Sequence, residues 1–364
     1  MEFIDLKAQQ NLIKDDINAQ IASVLSHGRY ILGPEVVEIE HQLAAYVGVE
    51  HCITVASGTD ALLIALMALN VGPGDEVITV PYTWISTAEV ISLLGATPVF
   101  VDIDEKTWNM DTSLVSAAIS DKTKAIMPVG IYGQSADLKS LQEISESHGN
   151  IPVIEDAAQC FGAHHHGEIA CSQTLIGCTS FFPSKPLGCY GDGGAVFTNH
   201  NDLADKMRQI RVHGQERKHH HPILGINGRM DTLQAAIMIP KLKIFDDEIN
   251  KRQQVAARYS NAIQANPNGI VTPFVAEENS SVWAQYTILS ESRDQLNQAL
   301  ADAGIPSVSY YSTPLHLQPV FENLGYVKGD FPVTERVADQ CLSLPMNPYL
   351  SEIDIDTVCN AFAS

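Results

Sequence analysis

The chain has 364 residues, 45% hydrophobic and 18% charged, with 22 Lys plus Arg against 43 Asp plus Glu and a formal net charge of -21. So acidic a surface excludes broad binding to nucleic-acid backbone or to anionic membrane, although a local group of Arg and His can still hold an anionic small substrate. The length exceeds one simple core and fits a large domain plus a small one, and 24 Gly with 18 Pro rule out a fibrous or low-complexity chain. No apolar window of about 18 residues marks a membrane span. The N-terminus carries Glu2, Asp5 and Lys7 and no apolar targeting core. The seven cysteines, at 52, 160, 171, 178, 189, 341 and 359, form no C-x-x-C pair. The expectation is a cytoplasmic protein with reduced thiols and no metal, membrane or nucleic-acid partner.

In chain order, the spacing predicts a strand at His51–Val55 and a helix over Asp60–Ala68, with Ser57-Gly58-Thr59 as the turn between them. A strand at Glu76–Val80 and a helix at Thr87–Leu94 follow. Strands are then expected at Pro98–Asp102, Ala125–Val129, Pro152–Asp156, Ser180–Phe182 and Gly194–Thr198. Short apolar strands separated by helical patterns imply an α/β fold: a mostly parallel, mixed seven-stranded sheet sandwiched by helices. From Thr232 to about Gln264 the pattern is one long helix, in which Pro240 predicts a kink or a break. Beyond it come a strand at Tyr286–Leu289, a helix at Arg293–Ala303, an extended stretch at Val308–Tyr311 and a last helix after Glu352. These read as a smaller α+β domain, with the boundary inside the long helix: residues 1–245 and 246–364.

Four segments carry chemistry. Asp156, at the end of its strand in Glu155-Asp156-Ala157-Ala158-Gln159, points into the crevice where open α/β sheets bind ligands, and Gln159 reaches the same side. Lys185, in Ser180-Phe181-Phe182-Pro183-Ser184-Lys185-Pro186, sits between two prolines and beside a glycine-rich segment that lets a ligand approach the backbone. Ser57-Gly58-Thr59-Asp60 opens a helix, where backbone N–H groups and hydroxyls can cradle phosphate or simply cap the helix. Asn227-Gly228-Arg229 places an amide and a guanidinium before the long helix. A phosphate cradle, a ring-pairing Asp and a turn Lys, in that order, are what pyridoxal 5'-phosphate (PLP) requires. The runs His164–His166 and His219–His221 look like metal sites, but successive side chains point apart, so three cannot easily share one ion.

These segments, with Gly72-Pro73-Gly74-Asp75-Glu76-Val77, Gly191-Asp192-Gly193-Gly194 and Asn227-Gly228-Arg229-Met230-Asp231, resemble the fold-type I PLP aminotransferases of the DegT/DnrJ/EryC1/StrS family over nearly the whole chain. The resemblance implies that Lys185 carries PLP and shuttles the proton, that Asp156 pairs with the pyridine nitrogen and Gln159 with the ring hydroxyl, and that Trp84 stacks on the ring. It implies that Gly58, Thr59 and Ser180 bind the phosphate together with Asn227 of a second subunit in a homodimer with shared sites. Arg229, Tyr310 and Tyr311 would lie near donor and sugar. The opening Phe3-Ile4-Asp5-Leu6-Lys7 and Ser343-Leu344-Pro345-Met346-Asn347-Pro348-Tyr349 are similar to the branch that aminates UDP-2-acetamido-2-deoxy-3-oxo-D-glucuronate with glutamate for surface polysaccharide such as O-antigen.

That branch usually reads His-Tyr-Pro-x-Pro-Leu where this chain has Tyr310-Tyr311-Ser312-Thr313-Pro314-Leu315, so Tyr310 stands for the His and Ser312 for the first Pro. Other UDP- or dTDP-linked 3-keto or 4-keto sugars stay open as substrates. A non-catalytic regulator of the same fold is opposed by the intact Asp156, Gln159, Ser180 and Lys185, and a related dehydratase by Lys185, which that branch replaces with His.

Overall fold

The computed structural model describes residues 1–265 and 267–362. Three helices, Leu6–Leu12, Lys14–His27 and Pro34–Val47, precede the first strand. Seven strands then build one sheet: β1 (His51–Val55), β2 (Glu76–Thr79), β3 (Thr97–Phe100), β4 (Thr123–Ile126), β5 (Ile154–Asp156), β6 (Ile176–Ser180) and β7 (Gly194–Thr198). Their spatial order is β1-β7-β6-β5-β4-β2-β3. Only β7 runs antiparallel to its neighbours, while β6/β5, β4/β2 and β2/β3 pair in parallel. The β5/β4 junction consists of two parallel bridges, Ile126 with Val153 and Val129 with Asp156.

Both faces of the sheet are covered, and the two-residue period of β7 shows it. Ala195 and Phe197 join one cluster with Phe161, Phe181 and Phe245, whereas Val196 joins Ile64, Ala65 and Ile154 in another. The second cluster is supplied largely by α1 (Gly58–Ala68), whose Ala61, Ile64, Ala65 and Leu66 are fully buried. Each such buried Ile or Leu contributes roughly 1.5–3 kcal/mol. The long helix α2 (Thr232–Ala265) serves two cores. Its Ala235, Met238 and Phe245 pack with the sheet, and its Val255, Tyr259 and Ile263 pack with Tyr286, Leu342 and Val358. The latter belong to a three-stranded antiparallel sheet, Ile270–Val271, Tyr286–Ser290 and Cys341–Leu344, and to the helix Glu352–Ala361.

Three sequence expectations are corrected. The strand expected at Ser180–Phe182 lies earlier, at Ile176–Ser180, because its middle is Gly177-Cys178-Thr179 and carries little apolar signal. Gly177 is needed there, since a Cβ would meet Cys171 Cα at 2.5 Å. Of the kink or break expected at Pro240, the break does not occur: α2 runs through it, with Ile237 to Lys241 all buried. One missing backbone hydrogen bond is outweighed by packing on both sides of the proline. Val308–Tyr311 forms a single bridge, Val308 with Ser343, and Tyr311 turns into the left-handed region at φ 60°. Among the described residues, no helix is long and apolar enough to cross a membrane.

Candidate active site

The site is assembled from strand ends. Asp156 closes β5 and Ser180 closes the neighbouring β6, so both stand at carboxyl ends of parallel strands. Ser57 caps α1 by accepting from Asp60 N–H at 3.0 Å. Gly58 lets the helix start press against β6, because a Cβ on it would meet Ser180 Cβ at 2.6 Å. These elements and the loop after β6 surround a cavity of about 420 Å³. Its walls include Gly58, Thr59, Trp84, Asp156, Gln159, Ser180, Lys185, Tyr310 and Tyr311, nine of the residues expected from the sequence.

Asp156 is buried with both carboxylate oxygens engaged. Thr87 Oγ1 donates to Oδ2 at 2.9 Å and Ala158 N–H to Oδ1 at 3.1 Å. Burial raises its pKa, and these two hydrogen bonds with the nearby Lys185 charge hold the rise back. Desolvation lowers the pKa of Lys185, opposed by Asp156, so its amine is more available as a nucleophile than an exposed lysine. The loop that carries it is closed by Lys185 N–H to Phe182 O at 2.9 Å and Cys189 N–H to Phe181 O at 2.8 Å.

Gln159 is fixed from both ends. Its Oε1 accepts from Tyr132 N–H at 2.9 Å and its Nε2 donates to the Tyr311 hydroxyl at 2.7 Å. Tyr132 and Tyr311 both have left-handed backbone, φ 58° and 60°, and their rings stack at 6.2 Å. Two non-glycine residues in that region cost of order 1–3 kcal/mol each, and such strain gathers at functional sites. Through Tyr310 and Tyr311 the C-terminal part of the chain reaches the cavity. Trp84 is no core residue: it is 61% exposed at the cavity wall, as is half-exposed Phe182.

Asn227 and Arg229 do not line this cavity. Asn227 is exposed and bridges Val212, and Arg229 is half-buried with an unpartnered Nε. Of the histidine runs, His165 is buried and bonded through Nδ1 to Asn279 Oδ1 at 2.7 Å, whereas His164 and His166 are exposed. Sequence reasoning missed Thr87, Ser86 and Gln285, which also line the cavity. A hydroxyl pair opening a helix just after Trp84 was the available signal for the first two, and Ser86 Oγ lies 2.7 Å from Thr59 Oγ1. Gln285 had none, because only folding brings it to Tyr132, whose carbonyl accepts its N–H at 3.2 Å.

Chemically, the site offers a helix N-terminus with hydroxyls for a phosphate, a buried carboxylate for a cationic ring nitrogen and an amine of lowered pKa. A model described as the DegT/DnrJ/EryC1/StrS aminotransferase family matches residues 11–363. Over 364 residues the chain is 53% identical to UDP-2-acetamido-2-deoxy-3-oxo-D-glucuronate aminotransferase of Pseudomonas aeruginosa, covering 100% of both. Among solved structures, Streptomyces venezuelae DesV in complex with a ketimine intermediate superposes with a TM-score of 0.97 at 39% identity, over 100% of this chain and 97% of that one. Bacillus subtilis NtdA with bound cofactor PMP gives 0.89 at 30% identity, over 96% and 80%. The chain belongs to the DegT/DnrJ/EryC1/StrS aminotransferase family.

Proposed function

We propose that this aminotransferase uses pyridoxal 5'-phosphate to move an amino group from L-glutamate to UDP-2-acetamido-2-deoxy-3-oxo-D-glucuronate, giving the 3-amino sugar for surface polysaccharide such as O-antigen. The observation that carries the chemistry is one cavity holding Lys185, Asp156, Gln159 and the start of α1. Full-length identity of 53% to a P. aeruginosa enzyme of that name supports the substrate.

The residues present fit the cofactor. The start of α1 with Thr59 and Ser180 would hold the phosphate, and the cradle is open because position 58 has no side chain. When bound, pyridoxal phosphate supplies an electron sink for ionising a Cα–H bond. Asp156, held by Thr87 and Ala158, would keep a proton on the ring nitrogen. Gln159, fixed by Tyr132 and Tyr311, would orient the ring, and exposed Trp84 would cover its face. Lys185 would bear the cofactor, and its amine would carry the proton to and from the substrate carbon. Glutamate leaves as 2-oxoglutarate before the keto sugar binds.

The site is completed in a homodimer, with Asn227 of the second subunit at the phosphate. Asn227 lies exposed and outside its own chain's cavity, and Trp84 and Phe182 leave apolar surface at the cavity mouth for a second copy to cover. Arg229, with its free Nε, would approach from the same side and hold a carboxylate of glutamate or uronate. All seven cysteines are free and six are buried, which suits a cytoplasmic enzyme. The large PLP-binding domain is residues 1–245 and the small one 246–364, the two cores of α2 supporting a boundary inside that helix.

Incubation with PLP, glutamate and a panel of UDP- and dTDP-linked 3-keto and 4-keto sugars tests the assignment, with amino-sugar products read by mass. Amination of the 3-keto uronate at the highest kcat/KM is expected. Preference for a 4-keto sugar would replace this substrate with the alternative.

A further inference from the structure

Helix α2 carries three polar side chains at seven-residue spacing, Gln234, Lys241 and Glu248. Seven residues bring a helix round to nearly the same face, so the three form one stripe. Gln234 Oε1 accepts from Tyr190 N–H at 2.9 Å. Lys241 Nζ donates to the Gly188 carbonyl at 2.6 Å and lies 4.2 Å from the centre of the Tyr190 ring. Glu248 accepts from Gln9 Nε2 at 2.8 Å and from the Tyr349 hydroxyl.

Lys241 is the one that calls for a reason. Its side chain is fully buried, and desolvation lowers its pKa to about 8, with Glu248 opposing. A buried cation is costly unless it is paired, and an apolar side chain of the same volume suits an interior better. What the ammonium supplies and an apolar side chain does not is a donor to Gly188. That carbonyl lies three residues after Lys185, at the base of the Phe181–Cys189 loop. The base is tight: a Cβ on Gly188 would meet Phe182 O at 2.6 Å. Two residues further on, just past the end of the loop, Tyr190 N–H is held by Gln234.

We propose that Lys241 is a positioning residue: its ammonium, bonded to the Gly188 carbonyl and facing the Tyr190 ring, fixes the loop in the shape that presents the Lys185 amine beside Asp156. The proposal rests on the reading of Lys185 as the cofactor-bearing lysine.

The test compares Lys241→Met, close in length and volume, with Lys241→Arg, which keeps a charged donor. Apo-protein is mixed with pyridoxal phosphate, trapped with borohydride, and the label on the Lys185 peptide is followed by mass. Lys241→Met is expected to label Lys185 about 10-fold more slowly, since small displacements of a reacting group carry large rate penalties. It should lower kcat with little change in KM for the keto sugar, and Lys241→Arg should recover most of the loss. A merely structural role would lower the melting temperature without this split and without rescue. Wild-type labelling in a folded Lys241→Met overturns the proposal. Should that variant not fold, Tyr190→Leu, which removes the ring facing the ammonium, is expected to slow labelling about 3-fold, and an unchanged rate overturns it. Absence of label at Lys185 in the unsubstituted protein overturns the functional reading and the proposal together.

Discussion

Glu155 and Asp156 leave opposite faces of β5 and meet different surroundings. Asp156 faces the cavity, with two hydrogen bonds and the Lys185 charge. Glu155 points away: Oε2 accepts from Cys171 N–H at 2.6 Å and Oε1 from Ser135 Oγ at 3.4 Å. Burial without a cation raises its pKa from 4.5 to about 7. A raised carboxyl pKa means that the folded state binds more protons than the unfolded state between pH 4.5 and 7, so stability is lost as pH rises through that window. Glu155→Gln should remove that loss. Denaturant unfolding of the apo-protein at pH 4.5 and pH 7.5 should show the wild type falling relative to the variant by on the order of 3 kcal/mol. Parallel pH curves would refute it. Asp156→Asn should retain cofactor but slow the glutamate half-reaction by about 10²-fold, because an amide no longer stabilises a protonated ring. Stopped-flow absorbance with glutamate alone checks this.

At the scale of elements, the contact between α1 and β6 is what makes a cradle. Gly58→Ala adds a methyl where Ser180 Cβ already stands at 2.6 Å, so the helix start must move away from the strand end. Overpacking of this kind costs about 1–3 kcal/mol. The expected outcome is a lower melting temperature together with a weaker affinity for pyridoxal phosphate, measured by fluorescence quenching. A drop in stability with unchanged affinity would place the phosphate elsewhere. The long helix shows the opposite case, a local rule overruled. Pro240 removes one backbone bond, yet its buried neighbours on both sides keep the helix whole.

For the molecule as a whole, the fold is the fold-type I architecture of its family, and a single chain gathers most of the site but not Asn227 or Arg229. If the second subunit supplies them, two inactive variants should complement. A mixed dimer of Lys185→Ala and Asn227→Ala contains one site with both residues intact. Random subunit exchange should therefore restore about a quarter of wild-type activity, since half the dimers are mixed and each has one working site. Activity that never exceeds the sum of the separate variants would show that each chain works alone.

The sequence by itself determined the alternation of strands and helices, the strand-end Asp156, the helix-opening Ser57-Gly58-Thr59 and the loop Lys185, because each is written in a contiguous run whose local period or turn chemistry is strong. It missed what has no local signature. The helix Lys14–His27 is the exception, since Ile17, Ile21 and Val24 stand along it at helical spacing, with Ile17 and Val24 buried. The strand Ile176–Ser180 is made of small residues whose burial comes from neighbours. Thr87 on Asp156, Tyr311 on Gln159 across 152 residues, and Lys241 on Gly188 across 53 were decided only by tertiary structure. A hydrogen bond between distant segments depends on where the packed elements bring their ends, and that is fixed by the sum of buried contacts rather than by any one stretch of chain.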